Sequence, residues 1–343
     1  MPPIGAGRVA VTRGVRTPCA EAVAPAPTLH DPALSSGVGL NRGWSYREQV
    51  GPDAAGLTVL EYLATTRRHS TAAEWADRFA RGEIDIEGAR AHPATVLRTG
   101  HTLVWHRPPW HEPAVPMRFA IVHEDESLVA VDKPSGLQTM PAGGFLEHTL
   151  LHLLRQRFPE ASPLHRLGRC TSGLVLFART NAAASALSKA WRDHEVKKTY
   201  RALASGVPVT DRLEIDAAIG PVPHPQLGYV HGASKGGKAS RSVATVLERG
   251  EHHTLFSVDI ATGRPHQIRI HLAYAGHPLV GDPLYDVGGV IKASPGLPGA
   301  GGYLLHAERL AFAHPITGHA IQLHAPAPAT LCTVAEASLT PSL

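Results

Sequence analysis

Polar side chains crowd into four segments of this 343-residue chain. The first is Asp132-Lys133-Pro134-Ser135-Gly136, a turn at the end of an apolar strand, with Lys133 expected at the sheet's edge. The second is Pro163-Leu164-His165-Arg166-Leu167-Gly168-Arg169-Cys170-Thr171-Ser172-Gly173, where His165, Arg166 and Arg169 flank a glycine ahead of a hydrophobic strand. Such a loop can cradle phosphate or push a side chain into an RNA helix; taken alone, it also reads as a basic, solvated loop. The third, Glu195 to Tyr200, sets Lys197 and Lys198 before an aromatic at a strand start. A tyrosine there could stack on a base or belong to the core. The fourth, Thr262 to His271, carries Arg264, His266 and Arg269. It opens a helix expected to run to Ala275, with Pro265 in its first turn and Gly276 as its stop.

Other chemistries fare worse. His266, His271 and His277 are five and six residues apart, and five residues of helix turn by about 140° net, so they share no face and hold no metal between them. Gly5-Ala6-Gly7 has neither a strand before it nor a helix after it, so it is not a nucleotide-binding loop. Cys19, Cys170 and Cys332 are far apart and form no CxxC pair, which argues against a disulfide framework or zinc finger and for a reducing cytoplasm.

The elements that must position these groups can be read in outline. Residues 1–50, rich in Ala, Pro and Gly, read as a poorly ordered leader. Residues 57–105 form a small appendage: a helix marked by Val59, Leu60 and Leu63, a second capped by Thr71 and Glu74 and stopped at Gly82, and a hairpin. Residues 106–117, rich in proline, read as a stiff linker. From 118 to about 335 short strands dominate, at 120–122, 128–131, 174–178, 200–204, 241–248, 254–260, 302–306, 308–313 and 320–324, with helices at 149–158 and 181–194 and a Gly/Pro-rich surface loop at 293–302. The fold class is α+β, with a mixed, mainly antiparallel central sheet and flanking helices. An apolar fraction of 43% suits a globular core, and a net charge of +4 permits a polyanionic partner without demanding one. No apolar run is long enough to span a membrane.

Taken in order, Lys133-Pro134-x-Gly136, His165-Arg166-Leu167 with Thr171-Ser172-Gly173, Lys198-Thr199-Tyr200, Gly263-Arg264-x-His266-Gln267-Ile268-Arg269, Gly276-His277-Pro278-Leu279 with Gly281-Asp282, and Leu305-His306-Ala307 before His314-Pro315 resemble the RluA-like family of RNA pseudouridine synthases, over about residues 57–325. The resemblance implies a pseudouridine synthase fold with a cleft across its sheet, uridine in structured ribosomal or transfer RNA as substrate, and no cofactor or metal. It implies that residues 57–105 are the small RNA-binding appendage that many members carry. It also implies that Arg166 fills the gap left by a flipped uridine, that Tyr200 packs on the target base, and that Arg269 sits beside the catalytic group. His165, Arg169, Lys133, Lys198, Arg264 and His266 are the expected RNA contacts. A monomer is the plain expectation.

One position departs from the pattern. The family places Asp directly after His-Arg-Leu, and this chain has Gly168. That carboxylate attacks the sugar or takes a proton and steadies charge at the anomeric carbon, none of which glycine can do. Without it Arg269 would lose its partner and the cleft would gain positive charge. Asp132, Asp193, Glu195 and Asp282 are the nearby acids in sequence, with Asp282 expected to fix a loop. Two readings follow: an active synthase with a substitute group, or a catalytically silent RNA-binding protein that helps RNA fold or ribosomes assemble.

Overall fold

The computed structural model describes residues 28–30 and 39–339, except 68 and 298. Gly5-Ala6-Gly7 and most of the expected leader lie outside the described residues. The leader's end, however, is folded: Trp44–Gln49 is a strand. Its polar, largely exposed side chains give no core-facing alternation to read, and its place is fixed by pairing with Thr102–Arg107.

That pairing makes the small unit a four-stranded sheet, Trp44–Gln49, Thr102–Arg107, Ile84–Ile86 and Ala89–Arg90 in spatial order, rather than a lone hairpin. Helices Val59–Thr66 and Ala72–Ala80 pack on it around Val59, Leu63, Trp75, Phe79 and Ile84. Thr71 caps the second helix as expected: its Oγ1 accepts from Glu74 N at 3.2 Å, and Glu74 Oε2 accepts from Thr71 N at 2.6 Å. Thr58 and Glu61 repeat the same box on the first helix.

The expected linker is anchored. Glu112, 3% exposed, accepts from the backbone N–H groups of Leu146, Glu147 and His148 and from Asn41 Nδ2. Trp110 Nε1 donates to Gly144 O at 2.7 Å. These bonds tie the small unit's exit to the large one.

The large unit is built on one sheet. Its main path runs Thr28–His30, Phe119–Glu124, Leu128–Lys133, Ser172–Ala178, Leu305–Ala313, Lys197–Ser205, His253–Ile260, Ser242–Arg249 and Arg212–Ile215. Every pairing is antiparallel except the central one, where His306 and Ala307 run parallel to Ser172 and Gly173. Leu150–Arg155 and Asn181–Arg192 are the flanking helices, close to expectation. The strands expected at 302–306 and 308–313 are one strand, Leu305–Ala313. Ile219–His224 and Gly228–Ala233 form a separate hairpin that hydropathy did not reveal. No described helix is long and apolar enough to cross a membrane.

The central parallel contact needs Gly173. Its φ is +103°, and a Cβ there would lie 2.3 Å from Ala307 O, so only glycine lets the two strands meet. The polar loop 163–171 therefore empties into the middle of the sheet, where Tyr200 pairs with Ala307 on the next strand.

Candidate active site

The loop before Gly173, the start of Lys197–Ser205 and the helix Gln267–Tyr274 enclose a cleft of about 350 Å³, lined among others by Arg166, Gly168, Tyr200, Arg264, Arg269 and Tyr303. A cavity of this size accepts a small planar group. The three residues expected to act on a flipped uridine thus share one cavity. Arg166 is exposed at its rim. Tyr200 is 8% exposed, and burial pushes its phenol up to about 12, so it stays protonated.

The helix that carries Arg269 is locked at its entry. Gln267 Nε2 donates to Arg241 O (2.9 Å) and Ser242 Oγ (3.0 Å), while its Oε1 accepts from Thr262 Oγ1 (2.7 Å) and Arg264 N (3.1 Å). His266 precedes the helix in the left-handed region, at φ +56°, so Pro265 lies ahead of the first turn rather than within it. Gly276 turns the chain away at φ +92°, as expected of a stop.

Arg269 is 2% exposed and must be paired, since an isolated buried charge costs several kcal/mol. Asp282 meets it in a fork: Nε to Oδ2 at 2.7 Å and Nη2 to Oδ1 at 2.8 Å. Asp282 Oδ1 also accepts from Leu284 N and Tyr285 N. Burial works to raise this carboxyl, but the bonds and charge of Arg269 prevail and hold it below its ordinary value. The expectation that Arg269 loses its partner is therefore corrected. The rings of Tyr303 and Tyr285 lie 4.3 and 5.0 Å from the guanidinium carbon.

Asp282 is not a substitute nucleophile. Its side chain is 1% exposed and its oxygens are occupied. Asp193 is held by Lys189 on an outer helix at 2.6 Å, Glu195 is exposed, and Asp132 lies within the strand Leu128–Lys133. Among the described residues, those lining the cleft include no Asp or Glu.

Two of the expected RNA contacts do not line the cleft. Lys133 is fully buried rather than at an edge, and its ammonium donates to the carbonyls of Pro134, Leu137 and Arg169 at 2.9, 2.8 and 3.2 Å. Burial pushes it down to about 7, yet those three acceptors stabilise the charged form. Its task is to tie the first turn to the loop around Arg169. Arg169 is half-buried and donates to Gly299 O at 3.2 and 2.9 Å.

The others line the cleft. His165 stacks on Trp191 with centroids 4.9 Å apart and accepts from Leu176 N. Burial and the Lys198 charge push it down to about 3, so it is neutral. His266 is likewise pushed down to about 3, by burial and then Arg269. Its Nδ1 lies 2.8 Å from Tyr285 Oη, whose own proton goes to His231 O at 2.6 Å, so Nδ1 is the donor. Lys198 is 5% exposed and lowered by burial, with its ammonium 5.9 Å from the Trp191 ring.

Sequence reading missed Tyr303. It is 5% exposed and its hydroxyl lies 3.3 Å from Thr171 Oγ1. A Cβ built on Gly168 would sit 2.8 Å from Tyr303 Oη. No spacing signal links two residues so far apart in the chain.

Arginines and tyrosines thus line a cleft at the middle of the sheet, and comparisons with known proteins give the class of protein that carries it, an RNA-modifying enzyme. The sequence model of the RNA pseudouridylate synthase family matches residues 127–274. An uncharacterized RNA pseudouridine synthase of Synechocystis sp. is 43% identical over 278 residues, covering 80% of this chain and 96% of that protein. RNA pseudouridine synthase 5 of Oryza sativa subsp. japonica is 36% identical, covering 86% of this chain and 90% of the relative. The solved human RNA pseudouridylate synthase domain containing 1 superposes with a TM-score of 0.52 at 27% identity, over 64% of this chain and 89% of that one. The chain belongs to the RluA-like family of RNA pseudouridine synthases.

Proposed function

We propose that this protein isomerises uridine to pseudouridine in ribosomal or transfer RNA. The observation that carries the reading is the meeting of Arg166, Tyr200 and Arg269 in one small cleft from three separate stretches of chain. The target atoms are hidden inside an RNA helix, so the base must be turned out. Arg166, exposed at the rim, fills the gap it leaves, and Tyr200 gives the uracil ring a flat partner. Arg269, neutralised on its far side by Asp282, offers a fixed positive field to the charge that uracil gains when its bond to ribose breaks. Arg264 and Lys198 add to the attraction for phosphate. The protein acts without cofactor or metal, as a monomer in the cytoplasm.

The small unit serves as the RNA grip. A groove of about 1230 Å³ runs between it and the large unit, lined by Tyr46, Trp75, Arg78, Trp105, Phe145 and Arg155. Tyr46 is 44% exposed and stacks on Trp105 at 5.2 Å; Arg78 lies 4.8 Å from the Trp105 ring. The exposed Tyr46 beside half-buried Trp105 and Phe145, interleaved with arginines, suits unpaired bases on a phosphate chain.

One observation favours a second reading, a silent RNA-binding protein: the cleft lining holds no carboxylate among the described residues. Deleting the gene and mapping pseudouridine across ribosomal and transfer RNA separates the two. A site that disappears, and returns with the intact gene, supports the synthase; an unchanged map sinks it.

A further inference from the structure

Gly168 is not required by the backbone. It is absent from the glycines with positive φ, so its conformation suits any residue. The one atom that stands too close to a side chain there is Tyr303 Oη, 2.8 Å from the Cβ position; the next, Thr171 Oγ1, is at an ordinary 3.6 Å. The glycine therefore makes room for a hydroxyl. That hydroxyl belongs to a residue lining the cleft, on a ring held against Arg269 at 4.3 Å.

We infer that Tyr303 is a catalytic residue of this synthase, its phenol occupying the space that a residue-168 side chain would take and donating a hydrogen bond to the uracil as it leaves ribose. The inference rests on the synthase reading above. Three observations support a donor rather than a structural phenol. Its contact with Thr171 Oγ1, at 3.3 Å, is well beyond the usual 2.7–2.8 Å for two hydroxyls, so the proton is available for a stronger acceptor. Tyr285, the other ring near the guanidinium, differs: its hydroxyl is committed to His231 O and His266 Nδ1. Burial also raises the Tyr303 phenol, against the pull of Arg269, so it holds its proton at neutral pH.

The step balances without a co-reactant. The N1–C1′ bond breaks, and its electron pair passes into the uracil ring and onto the carbonyl oxygens. Tyr303 donates O–H to one of these and keeps its proton; no bond to Tyr303 forms. The ring turns, C5 gives a π pair to C1′, C5 loses its proton to water and N1 takes one from water. C1′ is left as an oxocarbenium, its charge shared with the ring oxygen O4′ until C5 attacks; Arg269 and Tyr303 steady the opposite charge, the one on uracil.

The test uses the full chain and ribosomal and transfer RNA extracted from a strain lacking the gene, with pseudouridine formation followed in single turnover. Tyr303→Phe keeps the ring on Arg269 and removes only the hydroxyl. Loss of one such donor is expected to lower the rate about 100-fold, with RNA affinity and melting temperature unchanged. Gly168→Asp alone meets the phenol oxygen and gives no gain. The double variant, Gly168→Asp with Tyr303→Phe, has room for the carboxylate and recovers rate over Tyr303→Phe. A Tyr303→Phe protein as fast as the parent overturns the inference and leaves the synthase reading standing. A parent that forms no pseudouridine removes both.

Discussion

Replacing Asp282 by Asn tests whether the buried fork with Arg269 organises the cleft. Both side chains are at most 2% exposed. The substituted amide keeps an oxygen for the Leu284 and Tyr285 N–H groups, so the loss falls on the charge of Arg269. Removing one partner of a buried pair costs about 3–5 kcal/mol, because the survivor stays desolvated. The faces of Tyr303 and Tyr285 return at most about 2 kcal/mol as cation–π attraction, and much of that is already present in the parent. At about 2–4 °C per kcal/mol for a unit of this size, thermal unfolding should begin roughly 6–20 °C lower. The pH dependence supplies a second check. The Asp282 carboxyl titrates below its ordinary 3.8, so its contribution is complete above 3.8 and is lost as pH falls through the lower folded value. The gap between parent and variant should be flat from pH 5 to 8 and should narrow in stronger acid, as followed by circular dichroism melts. A second variant, Arg269→Met with Asp282→Asn, removes both charges while keeping an oxygen for those N–H groups, and should melt closer to the parent than Asp282→Asn does. A cost under about 1 kcal/mol at pH 7, or a gap that widens in acid, refutes the pairing as the source of order.

Three further outcomes follow from particular contacts. Gly173→Ala forces a Cβ to within 2.3 Å of Ala307 O at φ +103° and should cost about 3 kcal/mol or more, seen as loss of soluble protein or a much lower melting temperature. Asp132 is pushed up to about 6 by burial, so the stability it supplies as a neutral acid is full below 3.8 and lost as pH rises through 6; Asp132→Asn should gain about 1–3 kcal/mol on the parent between pH 4 and pH 8 in urea titrations. Tyr46→Ala should weaken binding of extracted ribosomal RNA by about 1–3 kcal/mol, measured by filter binding, while leaving the fold intact because the ring is 44% exposed.

Much of this molecule is legible in its sequence because local rules and packing agree. Thr71 with Glu74 marks a helix start, Gly276 a helix stop, and short apolar runs mark the central strands. The ordered motifs bring Arg166, Tyr200 and Arg269 to one place. What was not legible depends on distance. Trp44–Gln49 is polar and exposed, so only its partner Thr102–Arg107 makes it a strand. Lys133 has the composition of a surface turn residue, yet three carbonyls from two segments draw it inside. Asp282 looks like a loop fixer, and it is one through its bonds to Leu284 and Tyr285; that it also neutralises Arg269 needs the helix and the loop to be seen together.

The same reasoning recasts the missing carboxylate. Read along the chain, Gly168 is a subtraction, and the charge left behind should disorder the cleft. In three dimensions Arg269 is already neutralised by Asp282 from behind, so its order does not depend on an acid at 168. The cleft face can then carry a neutral donor without leaving a buried cation unpaired. A carboxylate added at 168 would become a second anion near Arg269, competing with Asp282 for the guanidinium and colliding with Tyr303 Oη. Glycine, tyrosine and the rearward aspartate are therefore one arrangement, and changing Gly168 alone should not yield an active carboxylate cleft.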